Sequence, residues 1–341
     1  MRAVVVREPG SASDSKALQF ETNYPIPILK AGHALVKNVY SGINFIDTYH
    51  RKGLYPRNIP FVCGQEGGGT ISSIMYDEGD NEEKEMKIGD RVVYSCLETY
   101  AEYTLVPIKK LILIPPEIDT KKAIACMVQG LTAHYLVTSA HANLIKKGEW
   151  CLIYSTGSGT CQWAAQMARL QGYKVIGTCS SKKLDRAKKS MCDELIVLDT
   201  EEGCEHANYA SVDIVERVMG ITNGEGVKLI LDGVGKSTSE ISLQCLATRG
   251  IFVSFGNASG VVEPFPLLRL TKKSAFVTRP KLLDYVSSRS ELSERINEVF
   301  RWLKEGKLEV FIDKEFSLKE ASVAHQYIED GRTKGKLLLK L

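Results

Sequence analysis

Ser155-Thr156-Gly157-Ser158-Gly159-Thr160-Cys161 is the stretch of this 341-residue chain whose residue types and spacing point most directly to chemistry. Glycines after a strand let the backbone approach a diphosphate. The helix that follows offers unpaired N–H groups and the positive end of its dipole. The apolar run Trp150–Tyr154 supplies the strand, and Trp163, Ala164, Met167 and Leu170 recur at helical spacing until Gly172 stops them. Two glycines would serve an ordinary tight turn equally well. The strand before and the helix after favour a dinucleotide site.

About 20 residues further on, folds that bind NAD place an acid on the ribose 2′-hydroxyl. Here the run is Thr178-Cys179-Ser180-Ser181-Lys182-Lys183, with no acid before Asp185. Two hydroxyls and two ammonium groups suit a 2′-phosphate, which a carboxylate would repel. The residues therefore predict NADPH over NADH. The plainer alternative is that Lys182 and Lys183 cap a solvated helix start.

The elements needed to position these residues alternate. Trp150–Tyr154, Lys174–Thr178, Glu194–Leu198, Lys228–Leu231 and Gly250–Phe255 read as strands, with helical stretches around Val212–Met219 and Ser237–Ala247. This alternation predicts a doubly wound parallel sheet. Residues 1–125 differ: Ala3–Val6, His33–Val39, Gly69–Ile74, Arg91–Tyr94 and Ala101–Val106 are short β-like runs broken by Gly, Pro and charge. Tyr76–Gly89, with six acids and two lysines, reads as a solvated hairpin loop. From about 265 the character is mixed, with a helix expected over Ser290–Glu305 and a closing strand over Lys336–Leu339.

Composition fits two globular domains. There are 44 Lys and Arg against 41 Asp and Glu, so a net charge of +3 gives no basic footprint of a dedicated nucleic-acid binder. Nine scattered cysteines without a CxxC pair read as reduced thiols, many of them in apolar runs, and not as a disulfide framework or zinc cluster. No apolar run approaches about 18 residues, and MRAVVVREPG reads as a strand, not a secretory signal. Leu339-Lys340-Leu341 half resembles a peroxisomal address. The expectation is a cytoplasmic protein.

Several segments together resemble the quinone oxidoreductase (zeta-crystallin-like) branch of the medium-chain dehydrogenase/reductase superfamily. They are Gly42–Tyr49 with Gly53–Pro56, Gly89–Tyr94, Gly130–Ala133, Leu231–Gly235, Val253–Gly260 and Val277–Pro280, in order along nearly the whole chain. The resemblance implies an α/β protein in which a Rossmann-type NADPH-binding domain (126–264) is inserted into a GroES-like β-rich catalytic domain (1–125 plus 265–341). It also implies a homodimer, an active site in the cleft, and reduction of quinones. Carried onto matching positions, it places Asn44, Phe45, Ile46, Asp47, Thr48, Tyr49 and Thr132 near the nicotinamide half. Gly157, Ser158, Gly159 and Thr160 fall at the diphosphate, and Ser180, Ser181, Lys182 and Lys183 at the 2′-phosphate. Phe255, Gly256, Asn257, Val277, Thr278 and Arg279 close over the cofactor. Two positions depart from the family. Cys161 replaces a third glycine of the turn, and Leu198-Asp199-Thr200 lacks a tyrosine expected near the adenine.

Zinc-dependent relatives hold their metal at positions that here are Asn44, the Gly64-Gln65-Glu66 stretch, and Val128-Gln129. Asn and Gln are poor zinc ligands beside thiolate or imidazole. The six histidines have no metal-binding spacing and are expected mostly at the surface. A zinc-free reaction follows. Hydride transfer to a quinone needs little Lewis-acid help, because the oxyanion spreads into an aromatic ring and takes its proton from water, whereas an unactivated ketone needs a metal or acid.

Tyr49 and Tyr55 are the candidates for substrate contact, as walls or hydroxyl donors, unless they simply pack. Asn44 is expected to orient the nicotinamide ribose or donate to the substrate, and Asp47 to hold local backbone. Two alternatives stand beside quinone reduction. One is reduction of α,β-unsaturated aldehydes or ketones. The other is single-stranded RNA binding, favoured only by the basic stretches Lys182–Lys189 and Arg332–Lys340, which read better as solvated faces because they lack aromatics.

Overall fold

The apolar runs pair into three sheets in the computed structural model, which describes all residues except 15, 78–85, 201–208, 210 and 211. The middle of the expected loop Tyr76–Gly89, together with Cys204 and His206, lies outside the described residues. The chain divides into two compact units. One is Met1–Leu131 with Val286–Gly306 and Val310–Leu341; the other is Thr132–Tyr285 with Lys307–Glu309.

The first unit begins with β1 (Ala3–Val6), β2 (Gln19–Glu21), β3 (His33–Ile43) and β4 (Phe61–Val62). It continues through β5 (Glu66–Met75), β6 (Arg91–Ser95), β7 (Tyr103–Pro107) and β8 (Leu111–Leu113). The second unit holds β9 (Trp150–Ile153), β10 (Lys174–Cys179), β11 (Glu194–Val197), β12 (Val227–Asp232), β13 (Leu246–Ser254) and β14 (Phe276–Thr278). The chain then returns to the first unit with β15 (Ile312–Ser317) and β16 (Lys336–Lys340).

In the first unit β1 is buried along its length between β2 and β4, so its Ala-Val-Val-Val run forms core. The larger sheet runs β15-β16-β3-β5-β6-β8, with β7 also on β3. All its pairings are antiparallel except β15 with β16. β16 beside the end of β3 brings the last residues of the chain against Gly42 and Ile43, next to the glycine-containing segment read from the sequence.

The second unit carries the expected parallel sheet, ordered β11-β10-β9-β12-β13-β14. This strand order reverses direction at β9, the point where doubly wound folds bind their ligands. The helix Gly159–Leu170 follows β9 and buries its apolar face, including Trp163, Ala164 and Met167. β14 lies on this sheet, paired with β13. Residues 265–285 therefore group with the nucleotide-type unit, not with the first domain as the sequence reading placed them. A three-residue strand has too short a pattern to read in advance.

Candidate active site

The glycine turn is built around one close approach. A Cβ on Gly157 would lie 2.6 Å from the Cβ of Lys183, so only glycine lets the turn pass that residue. Ser155, in the left-handed region at φ 59°, turns the chain off the strand, and its N–H donates to Thr178 Oγ1 at 3.0 Å. Ser158 precedes the helix but does not cap it; its hydroxyl donates back to Ser155 O at 2.7 Å. The first N–H groups of the helix are thus left without a side-chain cap, which fits an anionic diphosphate. Cys161 sits buried on this helix, and burial pushes its thiol up to about 12, so it is a packed, protonated side chain.

Ser180 is buried, Ser181 and Lys182 are exposed, and Lys183 is half-buried. The turn Ser181–Lys183 directly follows the end of β10. The sequence showed no acid before Asp185, yet the fold brings one here. Asp199 follows β11, and the parallel register sets Cys179 opposite Val197. Its carboxylate accepts Ser181 N–H at 2.5 Å and Ser181 Oγ–H at 3.0 Å.

At the far side of the same sheet, the Arg279 guanidinium donates to Ser254 Oγ at 2.8 Å and Gly256 O at 3.0 Å. The bond to Gly256 ties Val277-Thr278-Arg279 to Phe255-Gly256-Asn257, two groups expected together over the cofactor. Asp232 pins the Leu231–Gly235 loop, which lies against Gly256. It accepts Val234 N–H, Gly235 N–H and the hydroxyls of Thr238 and Ser242, although burial raises its carboxyl above the ordinary range.

The first unit contains a buried ion pair that no motif announced. Lys336 Nζ meets Glu66 Oε1 and donates to Ile43 O at 3.0 Å and Asn44 Oδ1 at 2.9 Å. Glu66 also accepts Asn44 Nδ2–H at 2.8 Å on Oε1 and Val128 N–H at 2.7 Å on Oε2. Gly42 makes room for it: a Cβ there would lie 2.1 Å from Glu66 Oε1. Asn44 is therefore held by both members of the pair and presents a fixed amide. Lys336 corrects the reading of the Arg332–Lys340 tail as a solvated face, because strand pairing carries this lysine inside.

Asp47 opens the helix Phe45–Lys52. Its Oδ2 accepts Asn44 N–H at 2.8 Å and the Tyr100 hydroxyl at 3.1 Å, so it holds local backbone as expected. Burial raises its pKa to about 7. Tyr100 continues to His325 Nε2 at 3.1 Å, His325 Nδ1 to Arg51 at 3.2 Å, and Arg51 to Glu329 at 2.8 and 2.9 Å. The guanidinium can only donate, so Nδ1 accepts and Nε2 carries the proton. His134, His141 and His325 are all buried, correcting the expectation that most histidines lie at the surface. Each finds partners inside; His141 Nε2, for example, lies 2.7 Å from Val137 O.

Tyr49 and Tyr55 come together edge to face at 5.4 Å, with Phe45 6.1 Å from Tyr49, forming a half-buried aromatic wall. Thr48 is buried with its hydroxyl on Phe45 O, Ile46 is half-buried, and Thr132 is half-buried at the start of the second unit. Among the described residues, three buried side-chain atoms lack a hydrogen-bond partner: Asp47 Oδ1, Gln65 Oε1 and Gln129 Oε1. Gln129 lies on a π-helical turn, Cys126–Gly130. Asn44, Gln65 and Gln129 thus bring amides where zinc enzymes bring thiolate or imidazole. Among the described residues, no group of three or more His, Cys, Asp or Glu side chains could hold a metal ion.

A parallel sheet with a glycine turn at its switch point, in a chain that also carries a β-rich unit, defines a nucleotide-dependent dehydrogenase or reductase. Comparisons with known proteins agree. Residues 30–149 match the alcohol dehydrogenase GroES-like domain, and 203–339 match the zinc-binding dehydrogenase domain. The quinone oxidoreductase of Salmonella typhimurium is 38% identical, over 92% of this chain and 93% of that protein. A 2-haloacrylate reductase of a Burkholderia species is 33% identical over 99% and 98%. The structure of Escherichia coli quinone oxidoreductase complexed with NADPH superposes with a TM-score of 0.89 at 34% identity, covering both chains fully. The chain belongs to the quinone oxidoreductase family, in the zinc-free branch of the medium-chain dehydrogenase/reductase superfamily.

Proposed function

We propose that this protein is an NADPH-dependent quinone reductase that works without a metal. The observation that carries the reading is the second unit's turn, where Gly157 packs on Lys183 at an uncapped helix start. Kinship with quinone oxidoreductases, one of them described in complex with NADPH, supports it. Gly157–Thr160 hold the diphosphate, Ser180–Lys183 the 2′-phosphate, and Phe255–Asn257 with Val277–Arg279 cover the cofactor. When bound, NADPH supplies a hydride, which with one proton from solvent turns a quinone into a hydroquinone and leaves NADP⁺. The β-rich unit is the GroES-like catalytic domain. Its Tyr49 and Tyr55 provide the aromatic wall for the substrate, and the fixed Asn44 amide orients what binds beside it.

The 2-haloacrylate reductase relative favours a second reading, reduction of conjugated carbonyl compounds at the same site. A homodimer is proposed from β14, the edge strand of its sheet, on which Phe276 and Val277 are exposed. Unpaired thiols in all eight described cysteines accord with a reducing compartment, so we place the protein in the cytoplasm. RNA binding loses its basic tail in part, since Lys336 is buried.

The test is NADPH consumption over 9,10-phenanthrenequinone, 1,4-naphthoquinone, a 2-alkenal and 2-chloroacrylate, with NADH in parallel and metal content measured. Rates highest on the quinones with NADPH support the proposal. Turnover confined to the alkenal or haloacrylate favours the second reading, and stoichiometric zinc would refute the metal-free mechanism.

A further inference from the structure

Parallel pairing of β10 with β11 puts the loops that follow both strands on one sheet edge. There Asp199 takes both donors of Ser181, the backbone N–H on Oδ1 at 2.5 Å and the hydroxyl on Oδ2 at 3.0 Å. These are donors that the NADPH reading assigns to the 2′-phosphate. To a donor pair, a carboxylate and a phosphate monoester are equivalent: both are anions offering two or more acceptor oxygens.

We propose that Asp199 is an internal anion that competes with the 2′-phosphate for Ser181 and thereby limits how strongly the protein prefers NADPH to NADH. The proposal rests on the reading that the second unit binds NADPH. A 2′-phosphate must either displace the carboxylate from Ser181 or lie beside it. Both weaken binding, since the phosphate carries about −1.5 to −2 charges. At roughly 4 Å in screened solvent, the repulsion corresponds to about a five- to tenfold loss of affinity. A ribose 2′-hydroxyl meets the opposite situation. It is uncharged, so the carboxylate does not repel it, and it does not compete for the Ser181 donors that Asp199 holds. The edge thus carries opposed selectors, with Lys182 and Lys183 favouring phosphate and Asp199 favouring hydroxyl.

Calorimetric titration of the full chain with adenosine 2′,5′-bisphosphate and with ADP isolates this corner of the cofactor. Asp199→Asn keeps the shape and removes the charge. It should bind the bisphosphate about five- to tenfold more tightly while ADP changes less than twofold, and the NADPH-to-NADH affinity ratio should rise in step. Ser181→Ala should weaken the bisphosphate selectively. If Asp199 only caps the Ser181–Lys183 turn, Asp199→Asn weakens both nucleotides together, and the proposal falls. A wild-type preference for the bisphosphate that Asp199→Asn leaves unchanged or lowers also overturns it, with the NADPH reading intact. Equal binding of the two nucleotides by wild type and Asp199→Asn alike refutes the NADPH reading itself.

Discussion

Replacing Lys336 with Met tests whether the buried ion pair organises the first unit. The side chains of Lys336 and Glu66 are 1% and 0% exposed. Methionine preserves much of the volume but deletes the contact with Glu66 and the hydrogen bonds to Ile43 O and Asn44 Oδ1. Glu66 keeps only Asn44 Nδ2–H and Val128 N–H, leaving a buried carboxylate without a countercharge. Breaking a buried pair from one side costs about 3–5 kcal/mol. Lys336→Met should lose stability of that order at pH 8 by chemical denaturation. The double variant Lys336→Met/Glu66→Gln removes both charges and should recover much of the loss. A Lys336→Met variant destabilised by less than about 1 kcal/mol, or a double variant no more stable than Lys336→Met, would refute the reasoning.

Lys182→Ala/Lys183→Ala should weaken NADPH much more than NADH in fluorescence titrations; equal effects on both would sink the assignment of these lysines to the 2′-phosphate. Asp47, raised to about 7 by burial, binds its proton more tightly in the folded state, so its contribution to stability is present below about pH 4 and is lost as pH rises through 7. His325, lowered to about 3 by burial and the Arg51 charge, contributes in the opposite sense, with stability lost as pH falls from 6.5. Asp47→Asn should therefore gain stability relative to wild type between pH 4.5 and pH 8; a constant difference across that range would discount the buried carboxyl. Phe276→Lys should shift the protein toward monomer in analytical ultracentrifugation, and a monomeric wild type would remove the edge-strand dimer.

Much of the second unit could be read directly because its signals are local. Trp150–Tyr154, the glycine turn and the Met167–Leu170 face lie within about 20 consecutive residues, and helix and strand periodicity expose them without distant partners. The run Ser180–Lys183 likewise lies on one turn. The first unit was legible as strands but not as a site. Nothing in Lys336 or Glu66 indicates that strand pairing will bury them together, because they are 270 positions apart and each is an ordinary charged residue in its own segment. His325 and Tyr100 escaped notice for the same reason, since their partners come from other elements.

What the sequence determined by itself is the type of chemistry: a phosphate turn with hydroxyls and ammonium groups after the second strand, and amides where zinc ligands would stand. These depend on residue identity and short spacing. Tertiary structure alone decided which of those groups are available. It sealed Lys336 against Glu66, clamped Asn44 between them, paired Tyr49 with Tyr55, and carried Asp199 onto Ser181. The physical reason is that charge and hydrogen-bonding capacity belong to a residue, while burial and partnership belong to the sheets that bring distant residues together.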